Sequence, residues 1–547
     1  MLNISLKQTK GSLDWHWIFL GVVAIIFFVA YSWPSFISLQ NVEKTGRPIF
    51  NSPDETANYW ASTQFYQSGQ FHQFSEPSLV GGDIVKPRSL RIINNYLSPT
   101  GFLGLPWLYG SIARLFDRAD IIIWLTPLLA AVGGLLFYGL IKAIFDRRTA
   151  LLSALLLWIL PAYWYYAGRA MMPNVLLMVL VIAALWFLWQ ALSSRYWWSY
   201  AAAGLMFGLA LFVRSSEIVW LLPLGLLFLL CRWRQIHWAY VWFIPIFALV
   251  ALLPMFYHNT MLYNSPWSIG YQLVNGQEVS SWQSLTNYLL PFGWHPEVLR
   301  RNVANYLHYL FNWQTVIFIV ALFLFILAAI RRQANSRSQW AYLFSFGVVA
   351  LILVIYYGSW SFHDNPDPSA VTIGTSFVRY WLPIYIMTLP IIAWSVQWIF
   401  SRHKLAWISA AAALFLFSFS FAWHQVILDG DESWQAMNYQ IERYEQMSTL
   451  VNEKTATDAI IIARRSDKVF WPTRTVIYDL FYPIDWQRLA RLADQYPVYL
   501  WDWQYDLADI AYLNQRDYKK YDLELGITDI SYDNMALYKI NLEYDGQ

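Results

Sequence analysis

Charge is what this sequence has least of. Only 13% of its 547 residues are Asp, Glu, Lys or Arg, against about 25% in a typical soluble domain. So few charges cannot cover the surface of a water-soluble chain of this length. The formal net charge of +2 gives no footing for a nucleic-acid partner. A single cysteine, Cys231, excludes an intrachain disulfide and any cysteine-built metal cluster. No Gly-x-x-x-x-Gly-Lys-Ser/Thr loop is present, which argues against an ATP-driven pump. The apolar runs also lack the Asp/Glu/Lys series that a proton or ion relay requires.

What is abundant is apolar surface. Hydrophobic residues make up 57% of the chain, and the 32 Trp and 36 Tyr are the residues that gather at membrane–water interfaces. The mean hydropathy is +0.35. A membrane-crossing helix needs about 20 mostly apolar residues. Segments of that kind are 17–39, 121–145, 150–167, 173–192, 197–213, 217–231, 238–258, 308–330, 339–357, 378–400 and 404–425. The first is longer than the ~7–15-residue apolar core of a cleaved signal peptide and reads as an uncleaved span. A twelfth segment, 101–116, is short and interrupted by Gly and Pro.

Basic residues orient the spans. With 101–116 only half inserted, Lys7, Lys10, Arg147, Arg148, Arg195, Arg232, Arg234, Arg331, Arg332, Arg337, Arg402 and Lys404 fall on one face. The short links on the other face then hold only Arg169 and Arg214, the asymmetry expected when the basic face is cytoplasmic. The expectation is a polytopic α-helical membrane protein with about eleven full spans plus a half-inserted segment. Its N-terminus is inside and a small extracytoplasmic α/β C-terminal domain lies outside. Residues 1–428 form the transmembrane module, with outer loops 40–100 and 259–306, and residues 429–547 form the soluble domain. In that tail, runs such as 459–463 and 498–501 read as strands and 486–495 as a helix.

Chemistry-bearing residues cluster in the outer pieces. Ser52-Pro53-Asp54-Glu55 has the pattern of a capping box. The helix would run to about Gly69, with Ala57, Trp60, Ala61 and Phe65 on an apolar stripe suited to the membrane surface. A carboxylate there can take a proton from an acceptor hydroxyl or amine; the plainer alternative is that both acids only stabilise the helix start. Lys86, Arg88 and Arg91 precede the half-inserted segment and suit either a phosphate headgroup or anionic lipid. Arg169 and Arg214 sit at outer helix ends, where ionisable groups are usually kept for a reason; Glu217, three residues past Arg214, is its local ion-pair partner by spacing. Arg379 and Tyr380 stand at the mouth of a span, where Arg379 could hold a phosphate. His363 and Asp364 are of the types that bind a divalent metal, with a polar loop as the alternative; His258, His295 and Glu297 are read in the same way.

Taken together, Pro53-Asp54-Glu55 with Tyr59, the run Pro99–Gly110, the turn Tyr166–Asn174 and Arg379-Tyr380-x-x-Pro383 resemble the GT-C superfamily of membrane glycosyltransferases. The similarity is to the branch of protein O-mannosyltransferases and the aminoarabinose transferase of lipid A, the phospholipid-carrier-dependent, family 39-like enzymes. It implies an inverting transfer from a polyprenyl-phosphate sugar donor, with Asp54 as base and Glu55 in support. Arg88 and Arg379 would hold the carrier phosphate, with Lys86 and Arg169 as further candidates and Tyr59 and Tyr380 as weaker substrate contacts. The acceptor would be a protein, lipid or glycan, and metal dependence stays open. Asn174 stands where some relatives carry an acid. The competing reading from another class is a lipid or polysaccharide transporter or flippase, which would show polar mid-membrane faces and inverted repeats.

Overall fold

Backbone amides in hydrocarbon must find partners within their own segment, so long apolar runs fold as helices. A computed structural model describes residues 15–40, 42–194, 196–272, 290–331, 336–362, 367, 369–430 and 432–543. Its first helices are α1 (Trp15–Tyr31) and α2 (Trp33–Gln40), followed by α3 (Pro53–Ser68) and α4 (Gly104–Phe116). The body continues with α5 (Leu125–Ile144), α6 (Arg147–Trp158), α7 (Pro161–Gly168), α8 (Pro173–Ser194), α9 (Trp197–Val213), α10 (Ile218–Cys231) and α11 (Phe243–Tyr263). After these come α12 (Asn312–Ile330), α13 (Arg337–Gly358), α14 (Ser376–Tyr380), α15 (Leu382–Ile399) and α16 (Lys404–Trp423). The tail contributes α17 (Trp434–Lys454) and α18 (Pro483–Gln495).

Among the described residues, eight helices are long and apolar enough to cross a membrane, or up to ten if each of two bent pairs is one span. The pair α6/α7 bends by 52°, and the helix Ser215–Cys231 that contains α10 turns 118° from α9. Pro161 opens α7 and supplies no amide hydrogen to continue α6, which accounts for the first break. At the second, Arg214 adopts an extended conformation between the helices. The sequence expectation of eleven therefore requires α9 and α10, with 17 and 14 residues, to cross separately. Glycines let neighbouring backbones touch: a Cβ on Gly204 or Gly208 would meet the carbonyl oxygens of Ile244 and Ala248 at 2.3 and 2.4 Å. This small-xxx-small contact holds α9 against α11. α4 has 13 residues, too few to span, and packs beside α3, where a Cβ on Gly110 would meet the Ser62 carbonyl oxygen at 2.6 Å.

One end of the bundle carries a mixed layer. Strands β1 (Gln73–Phe74), β2 (Leu90–Ile93) and β3 (Tyr96–Pro99) form an antiparallel sheet in the order β1-β3-β2. Asn94 and Asn95 both have positive φ, 50° and 66°, as a tight two-residue hairpin turn requires. The tail has β4 (Ile460–Ile462), β5 (Thr475–Ile477), β6 (Val498–Trp503), β7 (Leu523–Tyr532) and β8 (Met535–Leu542) in the order β5-β4-β6-β8-β7. Pairs among β4, β5 and β6 are parallel and the β6-β8-β7 pairs antiparallel.

First loop and tail are built into one another. Ala57, Trp60, Ala61 and Phe65 share a core with Leu90 and Leu97 of the hairpin and with Ile461, Val469 and Trp471 of the tail. The apolar stripe of α3, expected to lie on the membrane surface, is thus buried in protein, because the tail supplies apolar partners that the local sequence could not reveal. Ion pairs and hydrogen bonds add to the seam. Arg47 donates to the carbonyls of Lys468 and Val469 at 2.7 and 2.9 Å, and Arg488 meets Asp83 at 2.6 Å. At the opposite end, Arg232, Arg234 and Arg337 line one cavity.

Candidate active site

The first turn of α3 positions the central carboxylate. Ser52 caps the helix by accepting from the Asp54 amide at 3.3 Å, Pro53 occupies the first helical position, and Gly69 ends it at φ 72°. Ser89 donates to Asp54 Oδ1 at 2.6 Å, and Arg379 Nη1 lies 3.5 Å from Oδ2. Ser89 holds a left-handed φ of 63°, a conformation a serine rarely adopts. It aims the hydroxyl at the carboxylate from the residue just before β2.

Glu55 completes no capping box. Its carboxylate turns inward, where Oε2 accepts from Arg169 Nε at 2.9 Å and Nη2 at 2.6 Å. Arg169 Nη1 also donates to the Tyr165 hydroxyl at 2.8 Å. Glu55 and Arg169 are 2% and 6% exposed, so this ion pair is sealed from water. The pair ties α3 to the turn after α7, and Asn58, one helical turn past Asp54, adds a bond to the Met171 carbonyl at 2.9 Å.

A second buried carboxylate organises the far wall. Glu217 accepts from Arg214 Nε at 2.9 Å, the Tyr357 hydroxyl at 2.7 Å and Trp220 Nε1 at 2.5 Å. The local pair expected for Arg214 is present, yet the guanidinium also lies over the Tyr380 ring, 4.6 Å from its centroid. Arg379 approaches the same ring at 5.1 Å. Arg379 is set by its neighbours: Nη2 donates to Ser376 Oγ at 2.7 Å, and Asn174 donates to its backbone carbonyl at 3.2 Å. The Tyr166 hydroxyl holds the Thr375 carbonyl at 3.0 Å, and Glu432 of the tail accepts from the Gly374 amide at 3.0 Å.

These groups line a cavity of about 110 Å³ whose walls include Asp54, Asn58, Ser89, Arg214, Tyr271, Arg379 and Tyr380. Of the residues expected from sequence, the structure brings Asp54, Arg379 and Tyr380 together there. It directs the others elsewhere. Arg88 grips the fully buried Asp467 through its amide and Nε at 2.7 and 2.9 Å, fastening the hairpin to the tail. Lys86 is half-buried outside the cavity wall near Asp83 and Asp485, and burial lowers its pKa. Arg169 is committed to Glu55. Tyr59 packs on Phe50, ring centroids 5.4 Å apart, on another side of α3. The metal expectation at His363 and Asp364 lies outside the described residues. His258 packs edge-on against Phe65 and Phe71. Among the described residues, no group of three or more His, Cys, Asp and Glu could hold a metal ion.

Sequence reasoning missed Ser89, Asn58 and Tyr271 and left Arg214 as a local pair. Asn58 was within reach, since four residues past Asp54 on a helix means the same face. Nothing local marks Ser89 or Tyr271.

Comparisons with known proteins bear on the fold. Residues 101–258 match the family described as dolichyl-phosphate-mannose-protein mannosyltransferase. The fold is similar to that of ArnT from Cupriavidus metallidurans in the apo state, with TM-score 0.53 and 12% identity over 97% of this chain and 98% of that one. An ArnT structure bound to undecaprenyl phosphate superposes with TM-score 0.50 and 12% identity, covering 96% and 98% of the two chains. The archaeal oligosaccharyltransferase AglB from Archaeoglobus fulgidus, in complex with an inhibitory peptide and a dolichol-phosphate, gives TM-score 0.52 at 11% identity, over 90% of this chain and 69% of that one. No curated protein matches the sequence. The chain shares its fold with these ArnT and AglB structures.

Proposed function

We propose that this protein transfers a sugar from a polyprenyl-phosphate-linked donor to a protein, lipid or glycan acceptor on the extracytoplasmic face, with inversion at the anomeric carbon. The observation that carries the reading is one carboxylate, Asp54, facing two arginines, Arg379 and Arg214, across a single cavity. In this mechanism the acceptor oxygen or nitrogen attacks the anomeric carbon and gives its proton to Asp54. The carbon–oxygen bond to the carrier phosphate breaks, and the departing phosphate keeps the electron pair. Arg379 and Arg214 stabilise that charge where it develops. A phosphate arriving at Arg379 competes with Asp54 for the guanidinium, which frees Oδ2 to take the proton. Ser89 keeps the other oxygen aimed. The carriers held by ArnT and AglB, undecaprenyl phosphate and dolichol-phosphate, support a lipid phosphate as the donor's leaving group.

The test is transfer from a panel of labelled polyprenyl-phosphate sugars in membranes containing the protein. Wild type is expected to transfer from at least one donor. Arg379→Ala is expected to raise the donor KM and lower kcat/KM by about 10²-fold, the loss of roughly 2–3 kcal/mol of charge-assisted bonding. Unchanged kinetics in that variant would remove Arg379 from the carrier site.

This reading puts Asp54 outside and the arginine-rich end of the bundle in the cytoplasm. Cys231, the chain's single cysteine, is exposed at that end. A membrane-impermeant maleimide is therefore expected to label it in inverted vesicles and to spare it in intact cells. The reverse pattern would invert the topology and reopen the cytoplasmic nucleotide sugars as donors.

A further inference from the structure

The cavity at the opposite end of the bundle is larger than the one at Asp54. Its volume is about 470 Å³, within the ~300–1,000 Å³ range of ligand sites. α10 leads to it: the helix begins four residues after Arg214 and runs for 14 residues to Cys231, a length of about 21 Å at 1.5 Å per residue. The two cavities therefore sit at different ends of the bundle, and the mechanism above makes no use of this one.

Its lining divides into two zones. Arg234 and Arg337 are exposed and Arg232 is half-buried, while Leu140 and Ile144 are buried and, with Phe228, form its apolar part. No Asp or Glu is among the described residues that line it. Arg232 is held in place rather than left trailing in solvent. Its guanidinium lies over the Trp189 ring, 3.3 Å from the centroid, and it donates to Gln235 at 2.9 Å and Ser338 at 3.3 Å. The Ser338 bond bridges the end of α10 to the start of α13. Both hydrogen-bond partners are neutral, so they orient the cation without cancelling its charge.

Basic loop residues that merely orient a membrane protein need no cavity with apolar walls behind them. Three cations lining one, with no acid beside them in the lining, select a ligand that is anionic at one end and apolar at the other. Basic pockets between helices are known to take phosphate headgroups of lipids. We propose that this cavity binds a phosphate-headed anionic lipid of the leaflet opposite Asp54. Its headgroup rests on Arg232, Arg234 and Arg337, and the first segments of its tails lie against Leu140, Ile144 and Phe228.

Cys231 lines the same cavity and reports on its occupancy. The experiment follows the rate of maleimide labelling at Cys231 in the purified full-length protein in neutral detergent, with dioctanoyl phosphatidylglycerol as probe. The lipid is expected to slow labelling at least fivefold. Dioctanoyl phosphatidylcholine and inorganic phosphate at the same concentrations are expected to slow it less than twofold. In Arg232→Gln/Arg337→Gln the protection by phosphatidylglycerol is expected to disappear. Should that variant fail to fold, Ala341→Trp, which fills the chamber and leaves every arginine in place, is expected to abolish protection as well. Equal protection by phosphatidylcholine would overturn the proposal in favour of an apolar cleft without headgroup recognition. Equal protection by inorganic phosphate would overturn it in favour of a simple anion site. Absence of slowing, or undiminished protection in a folded variant, would also overturn it.

Discussion

Asp54→Asn is expected to lower the transfer rate by about 10²–10⁴-fold, the range a positioned general base contributes, with thermal stability essentially unchanged. The substitution is close to isosteric. Its amide oxygen can still accept from Ser89, which holds Oδ1 at 2.6 Å in the native protein. What it cannot do is take a proton at neutral pH. Asp54 is half-buried, and its contact to Arg379 is long at 3.5 Å, so little folding energy rests on its charge. The comparison is sugar transfer by the two proteins at matched expression, with the melting temperature of each as control. Equal transfer would remove Asp54 as the base. A wild type inactive with every donor would leave the transporter reading as the better one.

The adjacent acid is expected to behave in the opposite way. Arg169→Met removes one partner of a buried pair and strands Glu55, a loss of about 3–5 kcal/mol for an uncompensated interior charge. Glu55→Leu strands Arg169 at similar cost. The double substitution Glu55→Leu/Arg169→Met leaves no charge behind and is expected to recover much of the stability, since an apolar pair of similar volume often replaces a buried ion pair at little cost. Thermal unfolding of the four proteins in one detergent gives the coupling directly. Additive losses in the double variant would mean that the 2.6 and 2.9 Å contacts carry no shared stability. Placed beside Asp54→Asn, the cycle separates two neighbouring acids by role. One loses rate without stability, while the other loses stability first.

That contrast also marks where local sequence patterns stop being informative. Ser52-Pro53-Asp54-Glu55 reads as a capping box, and its first half is present: Ser52 caps, Pro53 starts the helix and Gly69 ends it. The second half fails because Arg169, 114 positions away in sequence, offers Glu55 a charged partner that the chain's own amides cannot match. Arg88 is held away from the cavity for a related reason. Asp467 of the tail claims it across a separation of 379 residues. Arg379 stays at the cavity because Asn174, Tyr166 and Glu432 hold its segment there by the backbone. Each of these outcomes depends on which of several good partners comes within 3 Å, and spacing along the chain says nothing about that.

The sequence by itself determined the properties that follow from solvent and period. Apolar runs had to become helices, because hydrocarbon leaves their amides no other partner. Alternation and turn residues in the tail had to give strands and helices. Tertiary structure alone decided which charges are spent on architecture and which are presented to a cavity. It paired Glu55 with Arg169 and Arg88 with Asp467, turned the stripe of α3 into the tail's core, and brought Ser89 and Arg214 to Asp54. Hydrophobic burial is set by composition, whereas the strength of an ion pair depends on distance and local dielectric, and both are fixed only once the chain has folded.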